Sequence, residues 1–203
     1  MKKKKLLLIT LFIGMFFITK PVSSNSIMGG ELTWTCVGVD SFLIKLVLYR
    51  DCNAIQIGTV SIPITCNSTN QNITTVSIST PAVADITPVC DTLCTKCSNA
   101  TCSFPYGIEE ITYQKLVILS SAGSCCELVL SYSLYFRNYA ITTGAANKNF
   151  YIDAMMNRCL NPCDNSPQFT NSPVIIACIG RDFVFNNGVN DQDKDSLGGL
   201  SDS

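Results

Sequence analysis

Apolar and polar residues alternate along most of this chain with a period of two, in short runs closed by Gly, Asn, Pro or Ser. Successive side chains of a strand point to opposite faces, so this pattern predicts half-buried β-strands rather than helices. Runs at 32–36, 42–49, 59–64, 74–79, 111–119, 127–136, 149–155 and 174–178 carry the signal, each rich in β-branched and aromatic residues. Short strands separated by turn residues at this spacing predict an all-β sandwich of immunoglobulin-like type. The alternation also assigns faces. Phe42, Ile44, Leu46 and Leu48 share one face, and Leu43, Lys45, Val47 and Tyr49 the other, which predicts a central strand whose second face is only partly wet. In the run at 127–134, Leu128, Leu130, Tyr132 and Leu134 form the buried stripe opposite Glu127, Val129, Ser131 and Ser133.

Residues 81–106 break the rhythm with four cysteines and three prolines, and read as an irregular loop stapled by disulfides. No internal repeat is visible. The tail after Asn186 is polar and Gly-rich.

The N-terminus changes the setting. Lys2 to Lys5 precede an apolar run over 6–19 that ends at Lys20-Pro21, the layout of a secretory signal peptide over residues 1–25. The run is shorter than the roughly 20 residues a spanning helix needs, so the membrane enters only through export. Small residues at Ser23, Ser24 and Ser26 suit cleavage near position 25, and no cysteine follows closely enough for a lipid anchor. Cleavage removes five of the 14 basic residues and leaves nine against 15 acidic ones, a net charge of −6. Such a chain has no electrostatic footprint for nucleic acid.

Export places Cys36, Cys52, Cys66, Cys90, Cys94, Cys97, Cys102, Cys125, Cys126, Cys159, Cys163 and Cys178 in an oxidising compartment. An even number there reads as a disulfide framework, each bridge stabilising by about 2–4 kcal/mol, with the pairing open. Adjacent Cys125 and Cys126 should bond to separate partners, because joining neighbours strains the bridge. The run Cys90, Cys94, Cys97 and Cys102 has spacings that could close a four-thiolate zinc site, and Cys94-Thr95-Lys96-Cys97 has the spacing of a redox pair. Oxidation competes with the first, and no βαβ pattern supports the second.

Candidate catalysis is thin. The absence of histidine removes Ser-His and Cys-His pairs and imidazole metal sites. Gly-rich phosphate loops are also missing. Glu109 and Glu110 are neighbours on a predicted strand, so they face opposite sides and cannot flank one bond. Asn67, Asn72 and Asn99 head glycosylation sequons, which mark polar stretches. Asp191, Asp193 and Asp195 place carboxylates at alternate positions, a spacing that suits Ca²⁺. As an EF-hand loop this run is poor, with Ser196 where the turn glycine belongs and Asp202 for the bidentate glutamate.

Several stretches together carry a resemblance. Met28-Gly29-Gly30-Glu31-Leu32-Thr33-Trp34 and Leu48-Tyr49-Arg50-Asp51-Cys52-Asn53 come first, then Gly107-Ile108-Glu109-Glu110 with Tyr113. Phe136-Arg137-Asn138-Tyr139-Ala140-Ile141-Thr142, Asn149-Phe150-Tyr151-Ile152 and Asn165-Ser166-Pro167-Gln168-Phe169-Thr170-Asn171-Ser172-Pro173 follow, before the acidic turn at 191–197. In colinear order over about residues 27–197, these resemble the N-terminal module of large secreted Bacteroidetes surface proteins, gliding-motility-associated or built on cadherin-like or PKD repeats. The stretch from Asn165 is similar to the start of a cadherin-like repeat, which implies calcium ligation by Asp191, Asp193 and Asp195. Two departures stand out: Lys194 occupies a position where the pattern has glycine, and the chain stops at Ser203 where the family continues into repeats.

The expected organisation is thus a signal peptide at 1–25, a disulfide-rich β-sandwich at 26–164, and the truncated start of a cadherin-like repeat at 165–203. The expected function is that of a non-enzymatic surface or adhesion module, tied to gliding motility or attachment, whose partner is a surface polysaccharide or a protein. The 81–106 insertion is the expected contact surface, with Ca²⁺ as the one candidate cofactor. The truncated segment, over 173–185, should dock, pair with another chain or stay disordered, and so offers a route to self-association. The competing readings are a small exported hydrolase and a cysteine-rich metal or redox protein.

Overall fold

Burial follows the alternation strand by strand in the computed structural model, which describes residues 27–87, 94–99, 101–102, 107–135, 137–138, 148–171, 182 and 188–194. Among the described residues, ten strands run in chain order: β1 (Ile27–Gly38), β2 (Ser41–Asp51), β3 (Val60–Cys66), β4 (Asn72–Ile78), β5 (Ala82–Asp85), β6 (Ile108–Ile118), β7 (Glu127–Leu134), β8 (Phe150–Asn157), β9 (Gln168–Phe169) and β10 (Val189–Asn190). One antiparallel sheet has the order β1-β2-β6-β5, and a second has β4-β3-β7-β8. The two form a disulfide-bonded β-sandwich. The short β9–β10 pair stands apart from both sheets.

The core lies between the four-stranded sheets. Phe42, Ile44, Leu46 and Leu48 of β2 meet Ile62 and Ile64 of β3 and Leu128 and Leu130 of β7, all essentially without solvent exposure. Full burial of each such side chain contributes about 1.5–3 kcal/mol. The second face of β2 is half covered as expected: Val47, Tyr49 and Ile108 form a small outer cluster with Met28 and Ile86. Burial raises the Tyr49 phenol above its ordinary pKa, and its hydroxyl donates to Glu31 Oε1 at 2.7 Å, which adds to that rise. Gly30 lets β1 approach the other sheet; a Cβ there would stand 2.7 Å from the Val47 carbonyl and 3.2 Å from the Phe150 ring.

Three findings differ from the expectation. The 81–106 stretch opens with strand β5, which pairs through Ala82–Asp85 with residues 109–112 of β6. Four residues, all exposed, offer too few positions for alternation to register. The pair β9–β10, two residues per strand, escapes for the same reason. β1 begins at Ile27 rather than at 32, because Met28, Gly29 and Gly30 carry no strand signal, yet Ile27, Gly29 and Gly30 pair with β2, with Met28 in a register shift between them. The strand expected at 174–178 and the signal peptide lie outside the described residues.

Candidate functional site

The core-facing stripe of β2 does not stop at Leu48. Two residues on, Arg50 takes the same face with 3% exposure, directly across from Glu109 of β6. Its Nη2 donates to Glu109 Oε2 and its Nη1 to the Ala54 carbonyl at 3.0 Å, whereas Nε is buried without a partner. Burying a guanidinium is tolerable only when a carboxylate and further acceptors match it. A cleft of about 390 Å³ opens against this pair. Gln56 and Ile57 of the connection after β2 line one side, Pro81 and Val83 another, and Ile111 the sheet. The Tyr113 hydroxyl points at the carbonyls of Ile57 and Gly58, 3.0 Å from each, and so holds that connection in place. Burial raises the Tyr113 pKa, with the Arg50 charge opposing.

Covalent bonds brace the chain on either side of β2 and β5. Cys52, just past β2, is joined to Cys97 of the insertion, and Cys94 to Cys102 closes a small loop beside it. Gly107 passes beneath the first bridge: a Cβ there would overlap the Cys52 sulfur and stand 2.5 Å from the Cys97 sulfur. Asp85 at the end of β5 ties the insertion together. Its Oδ1 accepts from the Thr87 amide at 3.0 Å and hydroxyl at 2.6 Å, and its Oδ2 from the Thr95 hydroxyl at 2.6 Å. Partial burial works to raise the Asp85 pKa, but the hydrogen bonds from Thr87 and Thr95 prevail and hold it below the ordinary carboxylate value.

Three more bridges staple the sandwich: Cys36 to Cys163, Cys66 to Cys125 and Cys126 to Cys159. The adjacent Cys125 and Cys126 thus bond to different partners, as the strain argument requires. Pairing of Cys97 with Cys52, and of Cys94 with Cys102, leaves neither the four-thiolate zinc arrangement nor the Cys94–Cys97 redox pair; Cys90 and Cys178 lie outside the described residues. The five bridges among the described residues are those of a chain folded in an oxidising environment. Among the described residues, no helix is long and apolar enough to cross a membrane.

No family model, curated protein or solved structure matches this chain.

The acidic turn is the second candidate. Asp193 accepts from the Asn165 amide at 2.6 Å and from its Nδ2 at 2.8 Å, while Asp191 accepts from the Asp193 amide at 2.9 Å. Asn165 in turn accepts from the Cys36 amide at 2.9 Å, which hooks the turn onto β1. Next to it, the Trp34 amide donates to Ser166 Oγ at 2.8 Å and the indole N–H to the Asp164 carbonyl at 3.2 Å. The described residues hold no cluster of three or more His, Cys, Asp or Glu side chains placed to bind a metal, and Asp195 lies outside them. The structure therefore brings Asp191 and Asp193 together around a hydrogen-bonded hook. Lys194 adopts φ +60°, the left-handed region that favours glycine.

Sequence reasoning set Glu109 aside because Glu110 faces the other way, and passed over Arg50 as a functional residue. The two faces are as expected: Glu109 points inward to Arg50 and Glu110 outward. A signal for the pair existed, since a charged residue two positions beyond four alternating core residues must be matched somewhere.

Proposed function

We propose that this protein is an exported, non-enzymatic surface or adhesion module whose binding surface is the cleft between the 52–59 connection, β5 and the Arg50–Glu109 pair. The observation that carries the reading is the covalent bracing beside that cleft: Cys52–Cys97 joins the root of the 52–59 connection to the insertion, which Thr95 ties to Asp85 at the end of β5, and Cys94–Cys102 closes the insertion on itself. Disulfides that fix loops before a ligand arrives reduce the ordering entropy of binding. Loops held by a rigid sheet are where binding residues concentrate. Among the described residues that line the cleft, Glu109 is the one carboxylate. The ligand class is a surface polysaccharide or protein. Calcium at Asp191, Asp193 and Asp195 is a further part of this proposal, the metal bracing the segment behind the sandwich against β1.

The test is direct. Native protein is recovered from cells of the source, its N-terminus sequenced, and its free thiols counted under denaturing conditions. Export predicts a start near residue 26, location in the envelope or medium, and nearly no free thiol. Cytosolic protein with its leader intact and its cysteines reduced would refute the proposal.

A further inference from the structure

We propose that Cys90 and Cys178 form a sixth bridge, which joins the insertion between β5 and β6 to the segment that follows β9. This rests on the reading of the chain as an exported module and adds a covalent strap to it. The first observation is exhaustion of partners. The five bridges among the described residues join ten of the 12 cysteines to one another, and no described cysteine is free. Cys90 and Cys178 are the two that remain. A compartment oxidising enough to close the other five also closes two remaining thiols that can meet. Each thiol gives up one proton and one electron as the S–S bond forms. The disulfide of an exported thiol oxidoreductase, the class of oxidant that closes the other five, takes up both pairs and leaves as a dithiol.

The second observation is reach. Thr87 is fixed at the end of the sandwich where Asp51 pairs with Ile108, its hydroxyl accepting from the Ile108 amide at 2.8 Å. Cys90 follows three residues later, a leash of up to about 10 Å. Gln168 sits towards the opposite end, its amide donating to Thr35, which pairs with Leu43. There the Thr170 amide donates to the Gly188 carbonyl at 2.9 Å, which anchors both ends of 171–187. Cys178 lies seven residues past Asn171, a leash of up to about 24 Å. Leu43 to Asp51 is eight residues of β2, about 27 Å, and two strand spacings add about 10 Å sideways, a separation of about 29 Å. The two leashes and a bridge of about 5.5 Å between Cα atoms together reach about 40 Å, so the bond closes without disturbing either anchor. A bond to a second copy is the competitor. Thiols tethered on one chain meet at an effective concentration on the order of 1 mM, roughly a thousand-fold above a secreted chain at about 1 µM. The closed bridge spans the sandwich and gives the insertion an anchor besides Cys52–Cys97.

The experiment uses the full chain recovered from source cells, alkylated without reduction and digested with pepsin at acid pH, where thiolates are too scarce for exchange. Mass spectrometry before and after reduction then maps the bonds. The expected result is a Cys90 peptide joined to a Cys178 peptide, in chains that run as monomers on a non-reducing gel. Reduction should split that pair, with a gain of one hydrogen on each peptide. Alkylated thiols at Cys90 and Cys178, either cysteine joined to a small thiol or to one of the other ten, or a dimer that reduction separates would each overturn this inference alone. Cytosolic protein with all 12 thiols alkylated would overturn the reading beneath it.

Discussion

Adding one methyl group at Gly107 tests whether the cleft frame depends on the bridge that crosses it. The Gly107 backbone lies outside the left-handed region, so alanine meets no conformational obstacle, and any penalty is steric. The new Cβ would overlap the Cys52 sulfur and stand 2.5 Å from that of Cys97, so the bridge or β6 must shift. Overpacking of this kind costs about 1–3 kcal/mol, or roughly 3–10 °C in Tm for a domain of this size. A double-mutant cycle separates this clash from a general intolerance of the position. Removing the bridge with Cys52→Ala and Cys97→Ala opens a loop of 45-residue separation, which costs on the order of 4 kcal/mol. In that background the methyl group meets no sulfur. Gly107→Ala should then be neutral or stabilising by up to about 1 kcal/mol, since alanine has less unfolded-state freedom to lose. Urea denaturation of the four proteins gives the coupling, expected at about 2–3 kcal/mol. Equal losses from Gly107→Ala with and without the bridge would refute the argument.

Three further outcomes are expected. Ser166→Ala leaves the buried Trp34 amide without its side-chain acceptor and should cost about 1–3 kcal/mol in urea denaturation, followed by the fluorescence of this single tryptophan; an unchanged midpoint would remove Ser166 from the account of the β1 edge. Because the folded pKa of Asp85 is depressed, its contribution is full above the unfolded value near about 4 and is lost as pH falls through the folded value, so wild type should lose more stability than Asp85→Asn on acidification below that point; parallel pH profiles would contradict the Thr87–Thr95 network. Millimolar Ca²⁺ should raise Tm relative to a chelator by about 2–4 kcal/mol of linkage if bound well above its Kd, and Asp193→Ala should abolish the rise; identical melting curves with and without the metal would end the calcium proposal.

Composition and local pattern carry far for this chain because strand alternation is a property of consecutive residues. The faces of β2 and β7, the sandwich class, the separate partners of Cys125 and Cys126 and the opposed directions of Glu109 and Glu110 all follow from neighbours in the chain and the two-residue repeat. Even the charge at Arg50 was readable as an intruder on a core stripe. Its partner was not, because Arg50 and Glu109 are 59 residues apart and meet only when β2 and β6 pair in register. The bridges from Cys36 to Cys163 and from Cys52 to Cys97 are likewise decided by which strand ends the sheets bring within reach, since twelve thiols carry no local mark of their partners. The same holds for Asn165, an ordinary polar residue in the chain that becomes the hook between Cys36 and Asp193. Local periodicity determines which way each side chain points; only the closure of the sandwich determines what it points at.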